Sequence, residues 1–260
     1  MKDILINHLS FGYTPERLIL DDIDLAVDTG SFVCLLGPSG CGKSTFLRLM
    51  AGLEHPTKGD IVMEGRRIEK PGLDRGMVFQ DYGLFPWMTA GENITLALEQ
   101  RFPEAGKKRW KETALEKLRN VGLEESVFDK LPKELSGGMK QRCAIARSFA
   151  VDPPVLLMDE PFGALDAVTR ARLQDLVLEL WARTEPKKTV FFVTHDVDEA
   201  LLLASRILVF GQAPSHIIYD CTIPPEKRPT RETQFDDVET LKLRNTLIHH
   251  INRDVNRRIA

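Results

Sequence analysis

The stretch GPSGCGKST occupies positions 37–45 and is the most informative part of the sequence. It comes directly after the apolar run FVCLL, and the segment KSTFLRLMAG that overlaps its end has the composition of a helix. Glycines let a loop wrap closely around a ligand, so that successive backbone N–H groups point at anionic oxygens, and the amino end of the following helix adds positive potential. We therefore predict a strand, a phosphate-binding loop and a helix, in that order.

The loop matches the pattern G-x-x-x-x-G-K-[ST] at every position. In such loops the lysine, here Lys43, reaches the terminal phosphates of a nucleoside triphosphate, and the next hydroxyl, here that of Ser44, binds Mg²⁺. A glycine-rich turn with a coincidental lysine is the alternative, but the flanking strand and helix favour phosphate binding. The predicted phosphate-binding residues are Gly37, Pro38, Ser39, Gly40, Cys41, Gly42, Lys43, Ser44 and Thr45.

The composition of the 260 residues is that of an ordinary globular chain, with 43% hydrophobic and 28% charged residues. The length suits one sizeable α/β domain, or one domain with a smaller lobe. A formal net charge of -3 argues against a bulk nucleic-acid partner. No apolar run is long enough to span a bilayer, and the first residues lack the apolar segment of a signal peptide. The four cysteines show no C-x-x-C spacing, which predicts free thiols in a reducing cytoplasm.

Strand and helix patterns alternate on both sides of a long helical stretch. Short apolar runs predict buried strands at 32–37, 155–160, 189–195 and 206–210, and the pattern from 88 to 150 is helical. After Gly211 we predict a short strand, a connector rich in proline and charge, and a terminal helix. A further helix is predicted from AVTRARLQDLVLELWAR, whose apolar residues recur at helical spacing and are expected to pack in the core: Leu173, Leu176, Val177, Leu180 and Trp181.

A second glycine-containing stretch, LSGGMKQR, occupies positions 135–142. A Ser-Gly-Gly step at the start of a helix can form another anion site, because unhindered amides and the Ser136 hydroxyl lie at the positive end of the helix dipole. Alternatively, Ser136 simply caps the helix and the glycines form an ordinary loop. Taken alone, the stretch supports both interpretations.

The order of the phosphate loop, LSGGMKQR and the strand VLLMDE resembles the ATP-binding subunit of ABC transporters. The resemblance extends over residues 1 to about 215, and LSGGMKQR looks like the signature motif of that family, with Met139 and Lys140 at variable places. It implies an α/β fold: a P-loop nucleoside-triphosphatase core with a mixed, mostly parallel sheet and flanking helices, an antiparallel β edge and a helical signature subdomain. It also implies an ATPase that uses ATP and Mg²⁺.

The resemblance assigns roles to individual residues. In VLLMDE, Asp159 is expected to hold Mg²⁺ and Glu160 to be the catalytic base. Two adjacent carboxylates at the end of an apolar strand are costly without a cation or a task. Gln80 corresponds to the Q-loop glutamine, which contacts Mg²⁺ or the attacking water, and His195 to the switch histidine, which contacts the γ-phosphate. Asp166 is the acidic residue of the D-loop GALD.

An aromatic side chain ahead of the phosphate loop is expected to stack on the adenine ring. Tyr13 is the preferred candidate and Phe11 the rival, since both lie at a suitable distance before the loop and stacking accepts either ring. The choice between them rests on spacing alone.

The family arrangement also implies a domain plan and a dimer. The ATP-binding core is expected at 1–87 and 151–215, the helical subdomain at 88–150 and a tail with a terminal helix at 216–260. Two chains, most simply a homodimer, should bind two MgATP head to tail, each between Lys43 and Ser44 of one chain and the signature residues of the other. These signature residues are Ser136, Gly137 and Gly138.

The motif that follows Gln80 points to a membrane partner. Leu84, Phe85, Pro86 and Trp87 form an apolar-aromatic patch, which in the family receives a coupling helix of the permease; packing between lobes is the alternative. This patch and the motifs around it most resemble the importers of nitrate, sulfonate, taurine and similar oxyanions, which also use a solute-binding protein. Ser205 and Phe149 depart from that group, where Asp and Leu are usual.

Two other classes share these motifs. Chromosome- or repair-type ATPases need a long coiled-coil insertion, but only about ninety residues separate Thr45 from Ser136. Translation-factor types carry two cassettes in one chain, and this sequence has one. An ATPase that drives export or a non-transport process is the remaining alternative. We therefore expect an ATPase at the cytoplasmic face of the membrane, with permease subunits and no nucleic acid as partners.

Overall fold

The computed structural model describes residues 2–14, 16–163 and 165–259. Position 164 of the predicted D-loop therefore lies outside the described residues. The strands are β1 Lys2–Thr14, β2 Arg17–Asp28, β3 Phe32–Leu36, β4 Lys58–Met63, β5 Arg66–Arg67, β6 Arg75–Val78, β7 Val155–Asp159, β8 Thr189–Thr194, β9 Arg206–Phe210 and β10 Ile217–Thr222. The α-helices are α1 Lys43–Ala51, α2 Ala90–Arg101, α3 Gly106–Asn120, α4 Gly137–Ala150, α5 Ala167–Arg183, α6 Val197–Leu203 and α7 Val238–Ile259.

The chain divides into two units. The first unit combines Met1–Gly72 with Pro186–Ala260, and the second is Leu73–Glu185. The finer domain plan drawn from the sequence stays a prediction.

The first unit contains strands of both orientations. An antiparallel sheet has the order β2-β1-β4-β5, while β3 pairs in parallel with both β8 and β9, and β10 is antiparallel to β9. Every residue of β3 and β8 is buried, as expected for strands with both faces covered. The predicted mixed, mainly parallel arrangement with an antiparallel edge is confirmed.

Aromatic side chains fill the space between α1 and the parallel strands. The ring of Phe46 on α1 lies 5.4 Å from that of Phe210 and 6.4 Å from that of Phe191, in tilted and edge-on geometries. These rings are fully buried. Since edge-on and tilted pairs are the favoured aromatic contacts, this packing fixes α1, and the loop before it, against the sheet.

The terminal helix α7 is fixed within the first unit by two polar contacts and one ring stack. The guanidinium of Arg244 donates from Nε to Asp198 Oδ1 of α6 at 2.6 Å. Asp254 Oδ2 accepts from the backbone N–H of Gln212 at 2.7 Å, and the His250 ring stacks on Tyr219 of β10 at 4.4 Å. The predicted strand, connector and terminal helix after Gly211 are therefore confirmed.

The second unit holds a parallel strand pair and most of the helices. β6 pairs in parallel with β7, and both strands are short. Thr89 and Glu92 form a capping box at the start of α2, which satisfies two amides at its first turn. On α5, three residues of the predicted apolar stripe are buried, Leu173, Val177 and Trp181, whereas Leu176 and Leu180 are half-buried at its edge.

Ser205, one departure from the oxyanion-importer pattern, has a structural task. Its hydroxyl accepts from the Phe32 backbone N–H at 2.8 Å and donates to the Phe32 carbonyl at 3.1 Å. The residue is 9% exposed, so these bonds satisfy buried polar atoms at the start of β3. Phe149, the other departure, is buried on α4.

Cys34, Cys41 and Cys143 are buried free thiols and Cys221 is a half-buried one, as the spacing of the cysteines predicts. Within the described ranges, no helix has the length and apolar character needed to cross a membrane.

Candidate nucleotide-binding site

The phosphate loop joins the end of β3 to the start of α1, as predicted. Gly42 caps α1 at φ 103°, and a Cβ there would lie 2.8 Å from Leu20 Cδ2. A Cβ on Gly37 would lie 2.6 Å from the Phe210 carbonyl oxygen. Both approaches are closer than side-chain carbons tolerate, so glycine is required where the loop folds against the strands behind it.

Lys43 is the first residue of α1, and its side chain reaches back into the loop. It is only 4% exposed, and its ammonium donates to the carbonyl oxygens of Gly37 at 2.8 Å and Pro38 at 2.9 Å. The ammonium therefore faces the inside of the loop, and two backbone carbonyls offset the loss of its hydration. Phosphate oxygens would compete for the same donor with a full negative charge, which makes the stronger hydrogen bond.

Cys41 lies beside the same ammonium. Its Sγ is 3.7 Å from Lys43 Nζ. Burial raises the pKa of the Cys41 thiol, while the neighbouring Lys43 charge opposes that rise. At neutral pH the thiol is therefore protonated and packs in the loop as a small apolar side chain. Of the other loop residues, Ser39 and Gly40 are exposed, and Pro38, Ser44 and Thr45 are partly exposed.

His195 is exposed in a tight turn between β8 and α6. The Thr194 hydroxyl accepts from the Asp196 N–H at 2.9 Å. Asp196 Oδ1 in turn accepts from the N–H groups of Asp198 at 2.9 Å and Glu199 at 3.2 Å, which caps α6. The histidine therefore lies between two residues whose hydrogen bonds hold the turn.

Phe11 and Tyr13, the two candidates for adenine stacking, differ in exposure. Phe11 is 5% exposed and belongs to the core, whereas Tyr13 is 54% exposed. Their rings pack edge-on, with centroids 5.0 Å apart at 85°. Only the Tyr13 ring has a face accessible to a base.

In the second unit, the two predicted acidic residues follow one another at the end of β7. All five residues of β7 are buried, and Asp159 is 6% exposed. Glu160 has φ 41°, a left-handed conformation that is unusual for a residue other than glycine. Strain of this kind is typical of functional sites, because it aims a side chain that the relaxed backbone would point elsewhere.

Gln80 is exposed just after β6, and the segment that follows it is held by an arginine that the sequence analysis did not single out. The Arg147 guanidinium on α4 donates to the Gly83 carbonyl at 2.5 Å and the Tyr82 carbonyl at 3.3 Å. Burial lowers the pKa of Arg147, which nevertheless remains charged. An arginine on a helix face that is otherwise small and apolar was the signal available in the sequence.

In the apolar-aromatic patch at 84–87, Phe85, Pro86 and Trp87 are exposed and Leu84 is half-buried. Trp87 is 74% exposed and Phe85 40%, with ring centroids 5.5 Å apart. Asn93, 1% exposed on α2, holds this segment: its Oδ1 accepts from the Phe85 N–H at 2.8 Å, and its Nδ2 donates to the carbonyls of Phe85, Met88 and Thr89. The patch is therefore a preorganised surface, and Asn93 is a second residue that the sequence analysis missed.

Of the two interpretations left open by the sequence, the structure shows that Ser136 caps the helix, and anion binding at this stretch stays a prediction. Ser136 caps α4, with its Oγ accepting from the Met139 N–H at 3.3 Å. A Cβ on Gly138 would lie 2.9 Å from Thr169 Cγ2, so a larger residue would crowd α5. A cleft of about 580 Å³ opens in front of the helix end, lined by Ser136, Gly137, Gly138 and Asp166 among others. Ordinary capping thus leaves an open space at the positive end of α4.

Asp166 of the D-loop caps the neighbouring helix α5. Its Oδ1 accepts from the Thr169 N–H at 2.9 Å. This hydrogen bond from the Thr169 backbone is the main cause that lowers the pKa of Asp166. The carboxylate is therefore ionised, and one of its oxygens is used to cap α5.

The candidate Mg²⁺ ligands have the chemistry that this ion prefers. Mg²⁺ takes oxygen donors, and the Ser44 hydroxyl, the Gln80 amide oxygen and the Asp159 carboxylate are of that type. Asp159 at 6% exposure is a carboxylate whose burial favours a cationic neighbour. These residue types fit the ion.

A glycine-rich loop between a buried parallel strand and a helix, with a buried lysine inside it, defines a P-loop protein that binds nucleoside triphosphates. A family model described as "ABC transporter" matches residues 20–163. The chain belongs to the ABC transporter family and is its ATP-binding, ATP-hydrolysing component.

Three curated relatives illustrate the similarity. The bicarbonate transport ATP-binding protein CmpD of Synechococcus elongatus is 43% identical over 93% of this chain and 87% of its own. The nitrate import ATP-binding protein NrtD of the same organism is 42% identical over 90% of this chain and 85% of its own. The aliphatic sulfonates import ATP-binding protein SsuB of Bacillus thuringiensis is 46% identical, with 82% and 83% covered.

A solved structure supports the fold. The dimeric post-hydrolysis state of the ATP-binding cassette MJ0796, bound to ADP and phosphate, matches with a TM-score of 0.75 and 32% identity, over 85% of this chain and 99% of the other. The predicted α/β fold of an ABC ATPase is thereby confirmed. The roles given to individual residues stay predictions.

Proposed function

We propose that the chain is the ATP-hydrolysing subunit of an importer for a small oxyanion, such as nitrate, a sulfonate or taurine, at the cytoplasmic face of the membrane. The observation that carries the ATPase part of the proposal is the buried Lys43 ammonium inside a glycine-lined loop at the start of α1. The similarity to ATP-binding proteins of bicarbonate, nitrate and sulfonate transport supports the substrate class, to which bicarbonate is added.

The residues of the proposed site share the tasks of nucleotide binding and catalysis. The loop amides and Lys43 bind the β- and γ-phosphates, and Tyr13 stacks on adenine. Glu160 polarises the attacking water, Gln80 helps to position it, and His195 donates a hydrogen bond to the γ-phosphate. Ser44, Asp159 and Gln80 would hold Mg²⁺, which would supply positive charge opposite the phosphates. Catalysis is therefore mainly positioning and charge stabilisation.

We propose further that two copies close around two MgATP. The phosphate loop of one copy and residues 136–138 of the other would hold each nucleotide, in a two-fold symmetric, self-complementary arrangement. The cleft at the amino end of α4 supports this, because it presents a helix end that favours an anion. Hydrolysis removes the γ-phosphate that joins the two copies, and so opens the dimer.

The exposed patch at 84–87 is the proposed contact with the permease. A rigid surface carrying Trp87 and Phe85 has the character of an interface hot spot, since large aromatic side chains contribute most to such contacts. Opening and closing of the ATPase dimer would reach the permease through this segment, which follows Gln80 in sequence. A solute-binding protein would be an indirect partner.

Co-purification from native membranes in gentle detergent tests this function. We expect a polytopic permease to be recovered with the chain, and its associated solute-binding protein to bind an oxyanion. Recovery with soluble proteins alone, and absence of the chain from the membrane fraction, would leave an ATPase but overturn the transport role. An associated permease without any solute-binding protein would favour export.

A further inference from the structure

The C-terminal part of the first unit lines an open cavity that the proposed ATPase mechanism does not use. Its volume is about 440 Å³, within the range of small-molecule sites. Its walls come from α6, from β10 and the connector after it, and from α7. Three different elements thus converge on one concavity, as they do in ligand pockets.

The lining combines apolar side chains with two lysines. Leu201 and Ile223 of the lining are buried, and Leu243 of α7 adds a further apolar side chain. The charged residues of the lining are Lys227, Lys242 and Glu239. The Glu239 Oε1 atom lies 3.1 Å from Lys242 Nζ. The charge balance is positive, so the lining suits an organic anion with an apolar tail.

The wall of this cavity is connected to the switch histidine. Arg244 of α7 follows the lining residue Leu243 in sequence and forms a two-point contact with Asp198, at 2.6 Å and 3.3 Å. The N–H of Asp198 donates to Asp196, the residue directly after His195. This series of contacts connects α7 to the turn that carries His195.

We propose that this cavity is a regulatory site for a small organic anion with an apolar tail, and that occupancy changes ATP hydrolysis through the Arg244–Asp198 ion pair. The regulatory half rests on the proposed function, whereas the binding half does not. Arg244 is a positioning residue in this scheme, because it acts on His195 through α6.

Binding is tested on the purified full chain with octanoate by isothermal titration calorimetry. Acetate supplies the head group without the tail, and 1-octanol the tail without the charge. We expect one octanoate per chain and weaker binding of both controls. Lys227→Glu should raise the Kd of octanoate at least about tenfold, because it replaces a charge-assisted contact by repulsion. Lys108→Glu, a charge reversal at an exposed position of α3, should leave the Kd unchanged. Equal binding by both variants would overturn the site.

The thiol of Cys221 reports occupancy without using ATP. Cys221 lines the cavity and is half-buried, whereas the other three cysteines are buried. Burial raises the pKa of Cys221 to about 11, so alkylation by iodoacetamide is best followed in alkaline buffer. We expect octanoate to slow labelling of Cys221, with Cys221→Ala giving the background by mass spectrometry. A labelling rate that octanoate does not change would place the binding elsewhere and overturn the proposal.

Coupling is tested by ATP turnover with and without octanoate. We expect turnover of the wild-type chain to change about fivefold, and Arg244→Gln to keep octanoate binding but lose the response. Asp198→Asn breaks the same pair from the other side, should one variant fail to fold. Octanoate binding without any change in wild-type turnover would overturn the regulatory half. A chain that binds octanoate but hydrolyses no ATP would contradict the proposed function and support the binding site.

Discussion

The Lys43 ammonium donates a 2.8 Å hydrogen bond to the carbonyl of Gly37, the first residue of its own loop. The loop thus supplies a hydrogen-bond acceptor for the Lys43 ammonium and holds that group in position to bind phosphate. Lys43→Met should raise the Kd for ATP at least about tenfold, since it removes a charge-assisted donor. Binding of a fluorescent ATP analogue checks this, with Lys108→Met as the control. Wild-type affinity in Lys43→Met would contradict the assignment.

Glu160→Gln should bind ATP but hydrolyse it at least about a hundredfold more slowly, because the amide cannot accept a proton from water. The trapped nucleotide should hold the chain as a closed dimer. Phosphate release and size-exclusion chromatography with MgATP measure the two effects. Glu185→Gln, at an exposed position just after α5, serves as the control. Unchanged turnover in Glu160→Gln would remove that residue from catalysis.

Substitution of Tyr13 should change the affinity for ATP, whereas substitution of Phe11 should change the stability of the fold. Tyr13→Ala should raise the Kd for ATP about three- to tenfold with little effect on stability, because an exposed ring is lost. Phe11→Ala should instead lower the free energy of unfolding by about 3–5 kcal/mol, because a buried ring is lost. Denaturant titrations and nucleotide binding separate the outcomes, and Tyr13→Phe should bind ATP normally. The opposite pattern would make Phe11 the stacking residue.

His8 gives the first unit a pH-dependent contact. Its Nδ1 lies 2.9 Å from Asp22 Oδ1 and 3.1 Å from Asp24 Oδ2, and the hydrogen bond with Asp22, followed by the charge of Asp24, raises the pKa of His8 above 6.5. A raised pKa in the folded state stabilises the fold below pH 6.5, and the effect is lost as pH rises through the folded-state value.

His8→Gln should therefore lower the free energy of unfolding more at about pH 5.5 than at about pH 9. Urea titrations at both pH values measure the difference. In a background that carries Asp22→Asn and Asp24→Asn, the same substitution should have no pH-dependent effect. A larger loss of stability at the alkaline pH would contradict a raised pKa of His8 in the folded state.

Trp87→Ser should leave ATP turnover and stability near wild type but abolish recovery of the permease. The side chain is 74% exposed, so the fold does not need it, whereas a hot-spot contact does. Phe102→Ser, at an exposed aromatic of the same unit, is the matched control. Full recovery of the permease with Trp87→Ser would exclude this patch as the contact.

Local sequence patterns were sufficient to predict several strands, one helix and the phosphate loop of this protein. The phosphate loop could be predicted because its glycines, its lysine and the helix after it lie within a few residues and are governed by short-range geometry. The strands β3, β8 and β9 could be predicted from their uninterrupted apolar runs, and the stripe on α5 from its helical period.

Other features depend on residues far apart in the chain, so no local pattern could reveal them. Burial separates Phe11 from Tyr13, although both fit the spacing. Arg147 meets the loop after Gln80 across more than sixty positions, and Ser205 meets Phe32 across 173. The cavity beside α7 exists only because α6, β10 and the connector converge there. The chemistry of a motif depends on residues that are neighbours in the sequence. The exposure of a side chain, its anchoring contacts and the cavities around it arise only when distant segments pack together.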